Sequence, residues 1–342
     1  MPFRHIIGHR RLVALLSRAI AHDALPPSLI LSGPAGVGKR LAALSVAQAL
    51  NCLAPVRSTS LDVADQLEFD ACGTCAACTR IARGVHPDVL FLEPNDKGNI
   101  KIDAVRDVVD RSGYRPFEGR RRVTIIDQAD ALERSAQNAL LKVLEEPPSA
   151  SSFLLVTPSP DVLLQTVRSR CPQLRFRPLS ESEVSRALTD RGQSESEARA
   201  VAALGAGSIG RALDASVDTL VEARDVALRV LSQAAASDDV RRRMECAKEL
   251  IAKGAGAAAS ERDQLAVYLR AMSTLLRDIA AIAASVDRSL LANPDLAAAL
   301  ERLQAFAGDR GRTAFFAVDR ALAALDRYTN AKLVADWLVL QL

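Results

Sequence analysis

The sequence predicts an α/β domain built on a parallel sheet flanked by helices, followed by a small helical domain and a larger all-α one. Two observations carry this reading. Four short, continuously apolar runs in the first half are separated by stretches of helical periodicity, the pattern of strands buried on both faces of a parallel sheet. After Phe176 and Pro178 the alternation stops, and from Thr219 onwards the chain reads as helix without strand patterning. A length of 342 residues suffices for two or three domains.

The elements follow in order. Ser28-Leu29-Ile30-Leu31 stops at glycine, and Arg40 to Asn51 reads as a helix with Leu41, Leu44 and Leu50 as its expected buried positions. Val89-Leu90-Phe91-Leu92 ends at Glu93-Pro94 and leads to a helix on which Val105, Val108 and Val109 share one face. Val123-Thr124-Ile125-Ile126 ends at Asp127. The helix after it carries Leu140, Leu141 and Leu144 and stops before Pro147-Pro148, because proline cannot continue the helical ladder. Phe153-Leu154-Leu155-Val156 ends at Thr157-Pro158. Glu181 to about Ala215 forms a helical unit interrupted by Gly205, Gly207 and Gly210, and Gly254-Ala255-Gly256 reads as a linker between later helices. The expected division is 1–177, 178–216 and 217–342.

Composition narrows the class. The chain is 49% apolar and 25% charged, the balance of a globular protein rather than a disordered one. Aromatics are only 4%, so helices packed with small aliphatics should dominate. Apolar runs such as Ile279 to Ala284 fall far short of the ~18–20 residues that cross a bilayer. Arg4, His5, His9, Arg10 and Arg11 leave no apolar stretch resembling a signal peptide. A soluble, cytoplasmic protein with no membrane partner is expected. The net charge of +3, from 44 basic and 41 acidic residues, is too small an excess to prove nucleic-acid binding; Arg120-Arg121-Arg122 reads as a solvated loop, with an approach to DNA phosphate as the alternative. Six cysteines in such a chain point to metal ligation or burial rather than to disulfides.

Gly33-Pro34-Ala35-Gly36-Val37-Gly38-Lys39 follows a strand and opens a helix. Glycines let successive backbone N–H groups turn inward on an anion, and a lysine at the seventh position adds a point charge for phosphates. The next residue is Arg40, where such loops carry Ser or Thr to place a hydroxyl on Mg²⁺; arginine has no acceptor to offer a metal. The third strand repeats the message. Asp127 stands where a metal-associated carboxylate belongs, but Gln128 replaces the acidic residue that would activate water, and an amide is a poor general base.

Cys72-Gly73-Thr74-Cys75-Ala76-Ala77-Cys78 places three thiols at two-residue gaps, with Cys52 just past the helix that follows the loop. Four thiolates satisfy a structural, tetrahedral Zn²⁺; an iron–sulfur cluster also suits four cysteines, though not usually at this spacing. Cys171 and Cys246 are isolated and read as buried.

Together these motifs resemble the AAA+ clamp-loader family of bacterial DNA polymerase III. The resemblance extends through Asp127-Gln128-Ala129-Asp130, Asn138 to Pro148, Ser169-Arg170-Cys171 and Gly207-Ser208-Ile209-Gly210-Arg211-Ala212. It implies an AAA+ P-loop domain with a zinc module at about 52–85, a helical lid domain and a helical collar for oligomerisation. It further implies a nucleotide site at Gly33, Gly36, Gly38, Lys39 and Asp127, with Thr157 as first sensor and Arg211 as second sensor. Cys52, Cys72, Cys75 and Cys78 would be the zinc ligands, and Arg170 an arginine finger facing a neighbouring subunit's nucleotide. The departures at Arg40 and Gln128 separate the chain from the hydrolysing gamma/tau subunits. They imply a non-hydrolysing stator or switch subunit, which helps place a sliding clamp on primed DNA in a hetero-pentamer with gamma/tau and delta subunits. The alternative is an active ATPase motor subunit. Zn²⁺ is the expected cofactor and Mg²⁺ is not; whether ATP binds is left open.

Overall fold

The computed structural model describes residues 1–58, 67–95, 98–205, 207–214, 217–237, 239–251, 261–288, 291–326 and 329–342. It divides into two compact units, Met1–Glu183 with Ser208–Gly210, and Val184–Gly207 with Arg211–Leu342.

In the first unit, helix α1 (Arg10–Ala21) buries Val13, Ala14, Leu16 and Ser17, and precedes strand β1 (Ser28–Ser32), which is buried at every residue. Helix α2 (Lys39–Asn51) starts at the end of the phosphate-type loop. Leu50 is buried as expected, but Leu41 and Leu44 are only partly so. The buried face consists of small residues, Ala42, Ala43, Val46 and Ala47, because the helix lies close against the sheet. A short antiparallel pair, β2 (Val56–Arg57) and β3 (Phe69–Asp70), leads to α3 (Ala76–Ala82). Then come β4 (Val89–Leu92), α4 (Ile102–Ser112), β5 (Arg122–Ile126), α5 (Arg134–Glu145), β6 (Ser151–Thr157), the short α6 (Gln165–Arg168) and β7 (Gln173–Arg175). Val105 and Val108 on α4 and Leu140 and Leu144 on α5 are buried, while Val109 and Leu141 are partly buried.

The main sheet has the order β4-β5-β6-β1-β7 and every pairing in it is parallel. Strand β6 thus lies between β1 and β5. All loops that leave the C-terminal ends of these strands emerge along one edge, where open α/β sheets place their ligands. The core forms two layers, one around Phe3, Leu16, Val46, Leu154 and Phe176, the other around Ile30, Ile126, Leu140, Phe153 and Leu155. The sequence reading has four strands in this sheet; the fifth, β7, is a polar edge strand with only Leu174 half-buried, so apolar runs do not reveal it.

The second unit is helical: α7 (Glu181–Thr189), α8 (Glu195–Gly205), α9 (Ile209–Asp214), α10 (Val217–Ala236), α11 (Val240–Ile251), α12 (Glu261–Ala283), α13 (Ala297–Leu300), α14 (Asp309–Asp326) and α15 (Ala331–Val339), with α7 and α9 straddling the division between units. Helix α12 packs against α10 and α14 through Leu265, Leu269, Met272, Leu275 and Leu276. Buried Asp278 accepts from the backbone N–H groups of Ala292 and Asn293 at 3.0 and 2.8 Å. No strand follows β7 among the described residues, and the glycines of Gly254-Ala255-Gly256 lie outside them. No described helix is long and apolar enough to cross a membrane.

Candidate functional site

The loop after β1 turns on three glycines in the left-handed half of backbone space, Gly33 at φ +136°, Gly36 at +75° and Gly38 at +100°. Gly33 has a second reason to lack a side chain: a Cβ there would lie 2.2 Å from the Phe176 carbonyl oxygen. Lys39 is buried and its Nζ donates to the Gly33 and Pro34 carbonyls at 2.6 Å each, so the ammonium spans the loop's mouth. His9 backs the loop; its Nε2 donates to the Val37 carbonyl at 3.0 Å and its ring stacks edgewise on Phe176. Burial lowers the pKa of His9 against the opposing pull of that carbonyl and Glu183. The Gly210 N–H donates to the Gly36 carbonyl at 2.9 Å.

Register assembles the rest. Ser32 of β1 is opposite Thr157 of β6, and Leu92 of β4 is opposite Ile126 of β5, so Glu93 emerges beside Asp127. The first residue after the lysine closes this edge. Arg40 Nη1 lies 2.7 Å from Asp127 Oδ2 and 2.5 Å from Glu93 Oε1, and its guanidinium sits 5.9 Å from the centre of the Phe91 ring. Desolvation would loosen the guanidinium's proton, but the two carboxylates outweigh it and raise the pKa. Asp127's other oxygen accepts from the Gln128 N–H at 3.0 Å. Gln128 itself is exposed and left-handed at φ 50°. Thr157 is fully buried; its hydroxyl donates to Asp130 at 2.7 Å and accepts from the Ser159 N–H at 3.0 Å. This donor set suits a divalent cation poorly, since Arg40 offers no oxygen and its fixed positive charge stands on the Asp127 carboxylate that such an ion would use.

Arg170 stands apart from these groups. It follows α6 and precedes β7, toward the N-terminal ends of the strands, where it pairs with Glu145 and donates to the Thr166 carbonyl at 2.7 Å. Arg211 is on α9, half-buried, in the second unit.

The cysteines converge. The sulfur atoms of Cys52, Cys72, Cys75 and Cys78 all lie within 4.8 Å of one another, with Cys52 and Cys75 4.0 Å apart. Tetrahedral zinc at Zn–S ~2.3 Å requires S···S of ~3.8 Å, so the four thiols fit the metal with little movement. Backbone N–H groups already point at sulfur, Cys72 to Cys52 at 3.2 Å and Cys75 to Cys72 at 3.3 Å. For Cys72, burial works upward but the N–H groups of Cys75 and Thr74 outweigh it and bring the thiol down to about 6. Burial pushes Cys52 and Cys78 up. The neighbourhood is tied down: Asp70 accepts from the Phe3 N–H at 2.8 Å and from Arg4 Nη1 at 2.9 Å, and Gln48 of α2 donates to the Cys78 carbonyl at 2.7 Å. Cys171 and Cys246 are buried and lie outside this cluster.

The family model described as DNA polymerase III, delta subunit, matches residues 8–180, just over half of the chain. The chain belongs to this family. A DNA polymerase III subunit delta' from Pseudomonas aeruginosa is 40% identical over 145 residues, 42% of this chain and 41% of that protein. A DNA polymerase III subunit tau/gamma from Haemophilus influenzae is 33% identical over 186 residues, 54% of this chain and 25% of that protein. The chain thus spans a quarter to about half of the length of the curated relatives it matches. A solved gamma-subunit-related protein of DNA polymerase III from Thermotoga maritima covers 95% of this chain and 96% of its own at 17% identity and a TM-score of 0.38.

Sequence reasoning about this DNA polymerase III family member treated Arg40 as a missing hydroxyl and a charge that repels a metal, without its carboxylate partners. It missed Glu93 and Asp130, the carboxylates that hold Arg40 and Thr157, although an acidic residue directly after a strand neighbouring Asp127's was a readable sign. It also missed His9 and the Gly210 contact, which depend on long-range packing.

Proposed function

We propose that this chain is the delta-prime-type subunit of a DNA polymerase III clamp loader, a non-hydrolysing partner of gamma/tau and delta subunits in a hetero-pentamer that helps place a sliding clamp on primed DNA. One observation carries the reading: the Arg40 guanidinium is held 2.7 Å from Asp127, on the carboxylate a hydrolysing site needs for its metal. Gln128 adds to it, as an exposed amide where a water-activating acid is needed. On this reading Gly33, Gly36, Gly38 and Lys39 form a vestigial phosphate loop, Asp127 is the acidic strand end beside it, and Arg211 has the role of second sensor. Thr157 is a first sensor whose hydroxyl is committed to Asp130. Residues 178–216 serve as lid and 217–342 as collar. The four cysteines hold a structural zinc, which would fasten the segment around Cys72–Cys78 to the end of α2. Arg170 acts on a neighbour's nucleotide; it is distant in topology from its own loop, and its permanent charge and forked donors suit a developing phosphoryl charge.

The second reading, an active motor subunit of gamma/tau type, draws on the intact Gly33–Lys39 loop and on the relatives that carry that name. Reconstitution separates the two. The purified chain should enter a complex with gamma/tau-type and delta-type subunits at defined stoichiometry. Failure to enter any such complex ends the loader reading, and substantial ATP turnover by the chain alone ends the delta-prime one.

A further inference from the structure

We propose that Arg40 is a resident cation that takes the place of the divalent metal, so that the loop of residues 33–39 holds nucleotide phosphates without Mg²⁺. This deepens the reading of that loop as a non-hydrolysing phosphate site and rests on it.

The cradle and the metal half of the site have different fates in this chain. The cradle is intact: the three glycines hold left-handed backbone, helix α2 begins at Lys39, and the buried ammonium is braced on two loop carbonyls at the mouth. Such a loop presents N–H groups and one positive charge to an anion. The metal half is occupied by protein. Arg40 makes both of its carboxylate contacts, to Asp127 and Glu93, through Nη1. Its Nη2 and Nε have no protein partner among the described contacts, and the side chain is 52% exposed. A guanidinium anchored at one nitrogen, with two donor nitrogens still available, is the geometry in which arginine takes a phosphate oxygen.

Charge favours the same assignment. Asp127 and Glu93 would repel a triphosphate, and in a metal-dependent site the divalent ion offsets them. Here Arg40 does so permanently, and it cannot be deprotonated or removed by a chelator. A magnesium ion arriving with nucleotide would have to displace the guanidinium from Asp127 and would find a cation at its door.

Titration of the full-length chain with a fluorescent ATP analogue, with excess magnesium and separately with EDTA, tests this. The parent should bind with affinities within about twofold of each other in the two buffers. Arg40→Thr should bind about tenfold more tightly with magnesium than with EDTA. Asp127→Asn, which keeps the cation and removes a repelling carboxylate, should bind in EDTA at least as tightly as the parent. Lys39→Ala should lose binding in both buffers. Parent binding that depends on magnesium overturns the proposal, as do absence of parent binding in either buffer and an Arg40→Thr variant, folded by circular dichroism, that gains nothing from magnesium. Should Arg40→Thr not fold, a loss of EDTA binding in Asp127→Asn still overturns it. No partner subunit enters the measurement, so its failure leaves the loader reading standing, and that reading fails only on reconstitution.

Discussion

Gly33 and Asp88 illustrate how much rests on single positions. At Gly33 any side chain faces both a left-handed backbone and the Phe176 carbonyl, so Gly33→Ala should destabilise the first unit by about 2–4 kcal/mol, read from denaturant unfolding. Asp88, fully buried, accepts from the N–H groups of Phe117, Glu118 and Gly119 at 2.6–2.9 Å and pairs with Arg122 at 3.1 Å. Burial pushes its carboxyl up, but these partners outweigh it and hold it at about 2. Asp88→Ala would leave Arg122 buried without its counter-ion, a loss of about 3–5 kcal/mol at neutral pH. Because the folded pKa lies below the unfolded ~3.9, Asp88's contribution is complete above about pH 4 and vanishes as pH falls through 2. Asp88→Asn should therefore show a flatter acid limb of stability than the parent; identical limbs would remove Asp88 from this role.

At the level of elements, legibility followed hydrophobic contrast. Strands β1, β4, β5 and β6 were readable because they are buried along nearly their whole length, and the Gly33–Lys39 loop because its glycines are needed for backbone reasons that spacing records. Strand β7 was not readable, since an edge strand of Gln, Leu and Arg has no apolar run. Helix α1 was overlooked although Val13, Ala14, Leu16 and Ser17 fall on one helical face. The cysteine cluster was legible from spacing, but not the way Asp70, Arg4 and Gln48 moor it to α2 and the N-terminal residues. Purified chain should contain about one zinc per molecule. Stripping it with a chelator, or Cys75→Ser, should lower the melting temperature by several degrees, as loss of a site that contributes to folding does. Metal-free protein with an unchanged melt would contradict the assignment.

For the molecule as a whole, the decisive measurements concern turnover. The chain alone should hydrolyse ATP well below ~1 s⁻¹, the lower end of ordinary enzymes. Arg170→Ala should leave assembly intact yet lower the ATPase of the complete loader, stimulated by DNA and clamp, by ~10-fold or more. Equal rates for mutant and parent complexes would reduce Arg170 to a surface charge. The parallel sheet gives this pairing a direction. The phosphate loop opens at the C-terminal ends of the strands and Arg170 stands toward their N-terminal ends, so on the proposed reading one face of the unit would receive and the opposite face would give. Contacts of that sort are head-to-tail and cannot be shared symmetrically by two copies. On the proposed reading, one face holds a nucleotide that it does not cleave while Arg170 on the opposite face acts on a neighbour, so the chain serves on one side only. That reading gives it an end station in an arc of loader subunits, where it would set the polarity of every contact that follows.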